Sequence, residues 1–231
     1  MKKLTFLFLF LSVSWCSFSQ SYFQDGLSAE WHRSRRDALK ELMPVNSAAV
    51  IFNNPVKNRS NDVDFIYHPN TDFYYLTGLR EPNSALVIFS EPREINGKKV
   101  DEVIFVQPRD PRAEMWNGKR LGVEGVREKL GFQEVFLFEE FVKSPYINFA
   151  SIDKVLSFNL NEDIEGGSSN APLKRMINSF KKAASYPEEA SEAKLQLYEL
   201  IRATDIENSA NVAQVIGRYR QRFPEVADDQ V

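Results

Sequence analysis

The stretch Asn70–Val87 reads NTDFYYLTGLREPNSALV, and it decides the fold. A run of Phe, Tyr and Leu suits a buried, pleated surface, so Phe73–Thr77 is predicted as a strand. Gly78 supplies the positive φ of a tight turn, and Pro82 stops the first strand from continuing. Ala85–Ser90 is then predicted as a second strand that lies beside the first one in the same sheet. On this pattern alone, the stretch is the core hairpin of an α/β domain.

Short apolar runs and helical patterns alternate through the first 160 residues. Strands are also predicted at Ala48–Phe52, Glu102–Gln107, Glu134–Phe138 and Lys154–Asn159, helices at Ser28–Met43 and Val123–Leu130, and a long polar loop at Asn53–Thr71. The pattern predicts an α/β fold with a mixed, roughly six-stranded sheet flanked by helices. A helical segment follows, with a linker predicted at Gly166–Asn170 and helices at Ala171–Ala184, Pro187–Ala203 and Asp205–Arg222.

The N-terminus is predicted to be a secretory signal peptide, residues 1–19. Lys2 and Lys3 precede the apolar run Leu4–Val13, and small residues stand before a cut at Gln20. The alternative, a membrane anchor, needs a spanning helix of about 20 residues, and this run is well short of that length. The chain is therefore expected to be an exported bacterial protein, periplasmic or secreted, with no membrane span in its mature form.

Composition excludes several functional classes. The chain has 231 residues, a formal charge of −3 and 43 % hydrophobic residues, enough for one good-sized core. Because Lys and Arg form no cluster beyond short pairs, no nucleic-acid partner is predicted. Cys16 is the only cysteine and lies in the predicted signal peptide, so the mature chain has neither a disulfide framework nor a thiolate site.

Two motifs carry a resemblance to a known family. Two segments resemble the signature motifs of the N-terminal domain of the aminopeptidase P, or Xaa-Pro aminopeptidase, family. They are DFYYLTGLREP (Asp72–Pro82) and QPRDPRAEMWNGKRLG (Gln107–Gly122). The resemblance covers roughly Leu27–Leu160 and implies the creatinase-like N-terminal fold. It divides the chain into residues 20–160, an aminopeptidase P N-terminal-like domain, and residues 161–231, a linker and helical segment leading toward a catalytic domain that is absent from this chain.

The resemblance also implies where the chemistry lies. Enzymes of this family hold two manganese ions in a C-terminal domain, through two Asp, one His and two Glu, and the metals activate a bridging water. None of those ligand motifs can be matched here, where the only histidines are His32 and His68. No catalytic residue and no metal ligand is therefore assigned, and the chain alone is expected to be inactive.

Four residues are accessory candidates for the walls of a substrate cleft. Asp72 matches an acidic residue that faces the free amino end of the substrate, where a carboxylate pairs with an ammonium group. Trp116 matches a tryptophan that reaches a neighbouring subunit's pocket, and its flat ring suits a proline ring. Arg120 and Tyr75 are weaker candidates. The structural alternatives are a turn cap for Asp72, a core or interface anchor for Trp116, a carboxylate bridge for Arg120 and a core position for Tyr75.

These expectations leave three functional hypotheses. The first is the N-terminal accessory part, as a fragment, of an exported Xaa-Pro aminopeptidase. Its partners are then its own catalytic domain or a sister subunit of a homo-oligomer, and a proline-containing peptide. The second is a free-standing, non-catalytic peptide-binding or oligomerisation module. The third is a creatinase-like or proline dipeptidase relative, although the sequence WNGKR at Trp116–Arg120 favours aminopeptidase P. The helical region from Ala171 separates the first two, because a complete module folds it back onto the sheet.

Overall fold

The computed structural model describes residues 22, 25–143, 147–158, 160, 171–186 and 191–207. The predicted signal peptide, the predicted linker Gly166–Asn170 and most of the helix predicted at Asp205–Arg222 lie outside the described residues.

Seven helices and seven strands make up the described chain. The helices are α1 (Ala29–Leu42), α2 (Thr71–Thr77), α3 (Pro111–Asn117), α4 (Gly122–Leu130), α5 (Phe138–Lys143), α6 (Ala171–Ala183) and α7 (Ser191–Glu207), and a 3-10 turn lies at Phe149–Ser151. The strands are β1 (Ser47–Phe52), β2 (Asn58–Ser60), β3 (Val63–Asp64), β4 (Ala85–Ile95), β5 (Lys98–Val106), β6 (Val135–Leu137) and β7 (Lys154–Ser157).

The main sheet has five strands in the order β6-β5-β4-β1-β7. β4 pairs antiparallel with β1 and β5, whereas the outer pairs β1–β7 and β5–β6 are parallel. The predicted class, a mixed sheet flanked by helices, is confirmed. The expected count of about six strands is not met in this sheet. The segment predicted as a loop at Asn53–Thr71 instead carries the separate two-stranded hairpin β2–β3.

Both faces of the sheet are covered. Every residue of β1 is buried, and its side chains alternate between two hydrophobic clusters, as strand geometry requires. One cluster joins the sheet to α5 and α6, with Phe141 and Phe180 among its members. The other joins the opposite face to α1, α2, α4 and α7, with Leu197 and Ile201 from α7. The two described helices after residue 170, α6 and α7, therefore pack onto the sheet, one on each face.

The predicted strand Phe73–Thr77 is wrong, because this segment is the helix α2. The side chain of Asn70 accepts a hydrogen bond from the Phe73 N–H at 2.9 Å and caps the first turn. At the other end Gly78 has φ 71°, and its N–H donates to the Tyr74 carbonyl at 2.7 Å. These two end signals favour a helix in spite of the β propensity of the aromatic run.

The burial pattern of α2 shows why a helix is preferred there. Phe73, Leu76 and Thr77 are buried, and their spacing of three and four residues is the period of a helix rather than of a strand. The predicted pairing of this segment with the strand at Ala85–Ser90 is wrong for the same reason. That second strand does exist, as the first part of β4, and it pairs with β1 and β5 instead.

A buried ion pair ties α1 to the sheet. The fully buried guanidinium of Arg36 donates to both Glu102 carboxylate oxygens, at 2.9 and 3.0 Å, and to the Leu76 carbonyl at 2.7 Å. Burial by itself raises the pKa of Glu102, but the charges of Arg36 and Lys40 outweigh it and hold this pKa below the usual value. One side chain thus connects α1, α2 and β5.

Arg36→Met is expected to lower the free energy of unfolding by about 3–5 kcal/mol, because it leaves a buried carboxylate without its main partner. Arg33→Met is the matched control on the same helix. Arg33 is exposed, so its replacement is expected to change stability by less than about 0.5 kcal/mol. Urea unfolding of the two variants measures both effects. A loss of similar size in both would show that the buried pair has no special weight.

Candidate functional site

Asp72 lies in the first turn of α2 and is half-buried. Burial raises the pKa of its carboxyl group, and the positive charge of Arg202 on α7 opposes this shift. The side-chain cap of the helix is Asn70, and a hydrogen bond of Asp72 with its own backbone also opposes the rise of its pKa. An acidic group at the N-terminal end of a helix is favoured by the helix dipole, so Asp72 also suits its place in the fold.

Tyr75 connects three helices. Its hydroxyl lies 2.9 Å from Thr204 Oγ1 on α7, and its backbone carbonyl lies 2.8 Å from Nδ1 of His32 on α1. Its ring packs edge-to-face on Trp31 with the ring centroids 5.2 Å apart. These contacts are those of a packing residue. None of these contacts tests whether Tyr75 also faces a substrate cleft, so that role stays a prediction.

Trp116 is the most exposed large apolar side chain among the described residues. It is 87 % exposed, its neighbour Met115 is 75 % exposed, and both lie on the short helix α3, which buries none of its residues. Trp116 is therefore not a core residue, and the interface and cleft interpretations both remain open.

Arg120 lies in the four-residue connection between α3 and α4, separate from Asp72 and Tyr75. Its positive charge acts on the buried carboxylate of Glu81 and on the hydroxyls of Tyr22 and Tyr67. The four predicted residues thus form two groups in the structure. Asp72 and Tyr75 lie together on α2 against α7, and Trp116 and Arg120 lie together on the α3–α4 segment.

Sequence reasoning missed a buried carboxylate that contacts the connection next to the second group. Glu81 is only 6 % exposed, and its Oε1 accepts a hydrogen bond of 2.7 Å from the Leu121 N–H. Burial raises the pKa of Glu81, and the Leu121 N–H and the charge of Arg120 oppose this shift. A carboxylate at the corner Gly78–Pro82, which separates two apolar stretches, is the signal that could have revealed it.

The hairpin β2–β3 was also missed as a surface. Phe65 is 55 % exposed and Ile66 is 84 % exposed, and they line an open groove of about 680 Å³ together with Tyr67 and His68. Isolated apolar side chains are common on protein surfaces, but neighbouring ones on a hairpin form a patch that a partner can cover.

The described residues do not fit a two-manganese centre. No group of three or more His, Cys, Asp or Glu among them is placed to hold a metal ion. His32 is fully buried against the Tyr75 carbonyl, and His68 lies in the hairpin groove. In the same part of the chain, no helix combines the length and the apolar character needed to cross a membrane.

The fold and its exposed surfaces define a mixed α/β module that presents a tryptophan on a short surface helix. The family model of the aminopeptidase P N-terminal domain matches residues 32–147. The chain belongs to this family.

Relatives and solved structures agree with this assignment. The Xaa-Pro aminopeptidase of Haemophilus influenzae is 38 % identical over 116 residues, which are 50 % of this chain and 26 % of that protein. Human Xaa-Pro aminopeptidase 3 is 34 % identical over 125 residues, 50 % of this chain and 24 % of that protein. Aminopeptidase P from E. coli, solved with the inhibitor Pro-Leu, matches with a TM-score of 0.53 and 33 % identity, over 68 % of this chain and 33 % of that one.

The chain therefore spans about a quarter of the length of these curated relatives. The family model that matches describes the N-terminal domain of aminopeptidase P.

His32 is expected to make stability fall in weak acid. Burial lowers its pKa below 6.5, the charges of Arg36 and Arg80 add to this, and the Tyr75 carbonyl and Asp25 oppose it. Below pH 6.5 the unfolded chain takes up a proton that the folded chain does not. Stability therefore falls as pH drops from 6.5 toward the folded pKa, by at most about 1.4 kcal/mol per pH unit.

Urea unfolding between pH 8 and pH 5 measures this slope. His32→Gln is expected to remove the contribution of His32 to the slope, whereas His68→Gln, at an exposed histidine, is expected to keep it. If the pH dependence of stability is unchanged in His32→Gln, His32 is not its cause.

Proposed function

We propose that this chain is the N-terminal accessory part of an exported Xaa-Pro aminopeptidase, an enzyme that removes an N-terminal residue preceding proline. The observation that carries the proposal is the exposure of Trp116 on α3. A large aromatic ring in water is unfavourable, and such rings are enriched at the centres of protein interfaces. In the proposed enzyme this ring lies against the proline side of a substrate bound in a neighbouring subunit.

The other predicted residues have binding roles rather than reacting ones. Asp72 carries the charge that pairs with the free ammonium group of a peptide, and its partial burial strengthens that attraction. Tyr75 supports the cleft wall beside Asp72 on α2, and Arg120 supports it beside Trp116 on the α3–α4 segment. The catalytic domain that the resemblance implies would hold two manganese ions, and these would supply an activated water. Export follows from the predicted signal peptide at residues 1–19.

The partners in this proposal are the enzyme's own catalytic domain, a sister subunit of a homo-oligomer and the peptide. The exposed apolar side chains of α3 and of the hairpin β2–β3 support contacts of this kind, because apolar patches on a folded domain are common sites of association.

A second candidate is a free-standing, non-catalytic binding or assembly module. The packing of α6 and α7 on opposite faces of the sheet favours it, since the described helices close both sides of the core. The two candidates differ in whether the exposed α3 surface meets a catalytic domain or another partner.

Purified chain is expected to show no manganese-dependent hydrolysis of Xaa-Pro peptides, because the family's ligand motifs cannot be matched in its sequence. Release of the N-terminal residue is measured with excess manganese, and a full-length relative serves as the positive control. Turnover by the pure chain, removed by a chelator, would contradict the proposal.

Trp116→Ala, placed in a chain that includes the proposed catalytic domain, is expected to lower kcat/KM for Xaa-Pro peptides by about 10- to 100-fold. The melting temperature is expected to change by less than about 2 °C, because the ring is exposed. Arg112→Ala, at an exposed polar position of the same helix, is the matched control and is expected to change neither quantity. Equal losses of activity and thermal stability in Trp116→Ala would instead support a purely structural role.

A further inference from the structure

The helix that carries Trp116 has no hydrophobic anchor of its own. α3 buries none of its residues. Asp110 caps its first turn by accepting from the Arg112 N–H at 2.9 Å, and Arg109 forms a bidentate pair with Glu114 at 2.9 and 2.8 Å. These contacts are local to the segment. They shape the helix but do not fix it to the sheet.

Glu81 provides a long-range contact. Its Oε1 accepts from the Leu121 N–H across 40 residues of sequence. The corner that carries Glu81 is itself held in the core, because the Glu81 carbonyl accepts from Asn53 Nδ2 at 2.8 Å and from Ser84 Oγ at 2.9 Å. The carboxylate is therefore a fixed point from which the α3–α4 connection is held.

The connection itself is short and has a restricted backbone. Gly118 ends α3 with φ 77° and ψ 164°, and Gly122 opens α4 with φ 61°. Only glycine adopts such a conformation readily at Gly118. At Gly122 an added Cβ would lie 2.6 Å from Arg109 Cγ, so Arg109 packs closely against the end of the connection. The hydrogen bond at the Leu121 N–H thus lies at the end of the four-residue connection between α3 and α4.

We propose that Glu81 is a positioning residue, which holds the Trp116 helix in place through the Leu121 N–H. The importance of Trp116 to a substrate rests on the proposed function, but the position of its ring can be measured without any substrate. Failure of one proposal is therefore distinguishable from failure of the other.

The charge of Glu81 supports a positioning role over a purely stabilising one. Its carboxylate is buried, and a hydrogen bond from the Gln107 side chain adds to that from the Leu121 N–H in opposing the rise of its pKa. The raised pKa means that folding favours the neutral acid, so ionised Glu81 lowers stability as pH rises through its folded value. The carboxylate is nevertheless the stronger acceptor for the Leu121 N–H. Arg120, Gln107 and Glu114 act on the pKa of Glu81. The charge of Glu81 in turn acts on the pKa of Arg109, Tyr22 and Tyr67.

Fluorine NMR of the full chain, labelled with 5-fluorotryptophan, tests the proposal. The chain has three tryptophans, Trp15, Trp31 and Trp116. Trp116 is the reporter of the α3 position, and Trp31, which packs on Tyr75, is an internal control for general loosening. Amide hydrogen exchange at Leu121 reports the hydrogen bond itself.

Glu81→Met removes the acceptor and keeps the size of the side chain. It is expected to speed exchange of the Leu121 amide by about tenfold, the effect of losing one charge-assisted hydrogen bond. The Trp116 resonance is expected to shift while the Trp31 resonance stays in place. Glu91→Met, at an exposed glutamate on β4, is the matched control and is expected to change none of these signals.

Glu81→Gln keeps an acceptor oxygen and removes the charge, so it covers the case in which Glu81→Met does not fold. In the wild-type chain the Leu121 amide proton and the Trp116 fluorine are expected to titrate together, with a midpoint above 4.5. This shared titration is expected to vanish in Glu81→Gln.

Two results would overturn the proposal. One is a Trp116 signal that neither titrates with Leu121 in the wild type nor differs in the folded variants. The other is a joint change of Trp31 and Trp116 in both variants, which would indicate general loosening. If Trp116 moves as expected but Trp116→Ala leaves substrate turnover unchanged, the positioning role stands and the proposed function fails.

Discussion

Burial on both faces of the central strands is the constraint on which the structure depends. All of β1 and the first five residues of β4 are buried, and their side chains alternate between two hydrophobic clusters. A sheet of this kind cannot leave either face in water, so each face needs a layer of helices. The helices α1, α2, α4 and α7 cover one face, and α5 and α6 cover the other.

Buried polar groups then fix how these layers sit on the sheet. Arg36 joins α1 to Glu102 on β5, and Glu81 joins its corner to the α3–α4 connection through Leu121. Such groups are costly when they lose a partner, so each one favours a single arrangement of the elements that it connects. The contact of Glu81 with Leu121 is the one that the proposal links to the position of Trp116.

The core extends beyond the stretch that matches the family. The match ends at residue 147, yet α6 contributes Phe180 to one cluster and α7 contributes Leu197 to the other. The residues of α7 also meet the predicted cleft group, since Thr204 contacts Tyr75 and the charge of Arg202 acts on Asp72. One of the two predicted groups is therefore shaped by a segment outside the family match.

Local patterns in the sequence determined the fold class, the α1 helix, most of the strands and the family. They did not determine α2, because its aromatic run has β propensity and only the end signals at Asn70 and Gly78 indicate a helix. The division of the four predicted site residues into two groups is not visible in sequence spacing either. Asp72 and Tyr75 face α7, which follows them by more than 100 residues.

Tertiary structure alone decided which polar groups are buried and what they contact. Sequence periodicity specifies which face of an element is apolar, but a carboxylate such as Glu81 reads as a surface residue until a distant N–H is brought to it. The exposure of Trp116 is likewise a tertiary property. An aromatic residue type does not by itself say whether another part of the fold covers the ring. Hydrophobic patterning is local and can be read along the chain, whereas the pairing of buried polar groups depends on contacts between residues far apart in sequence.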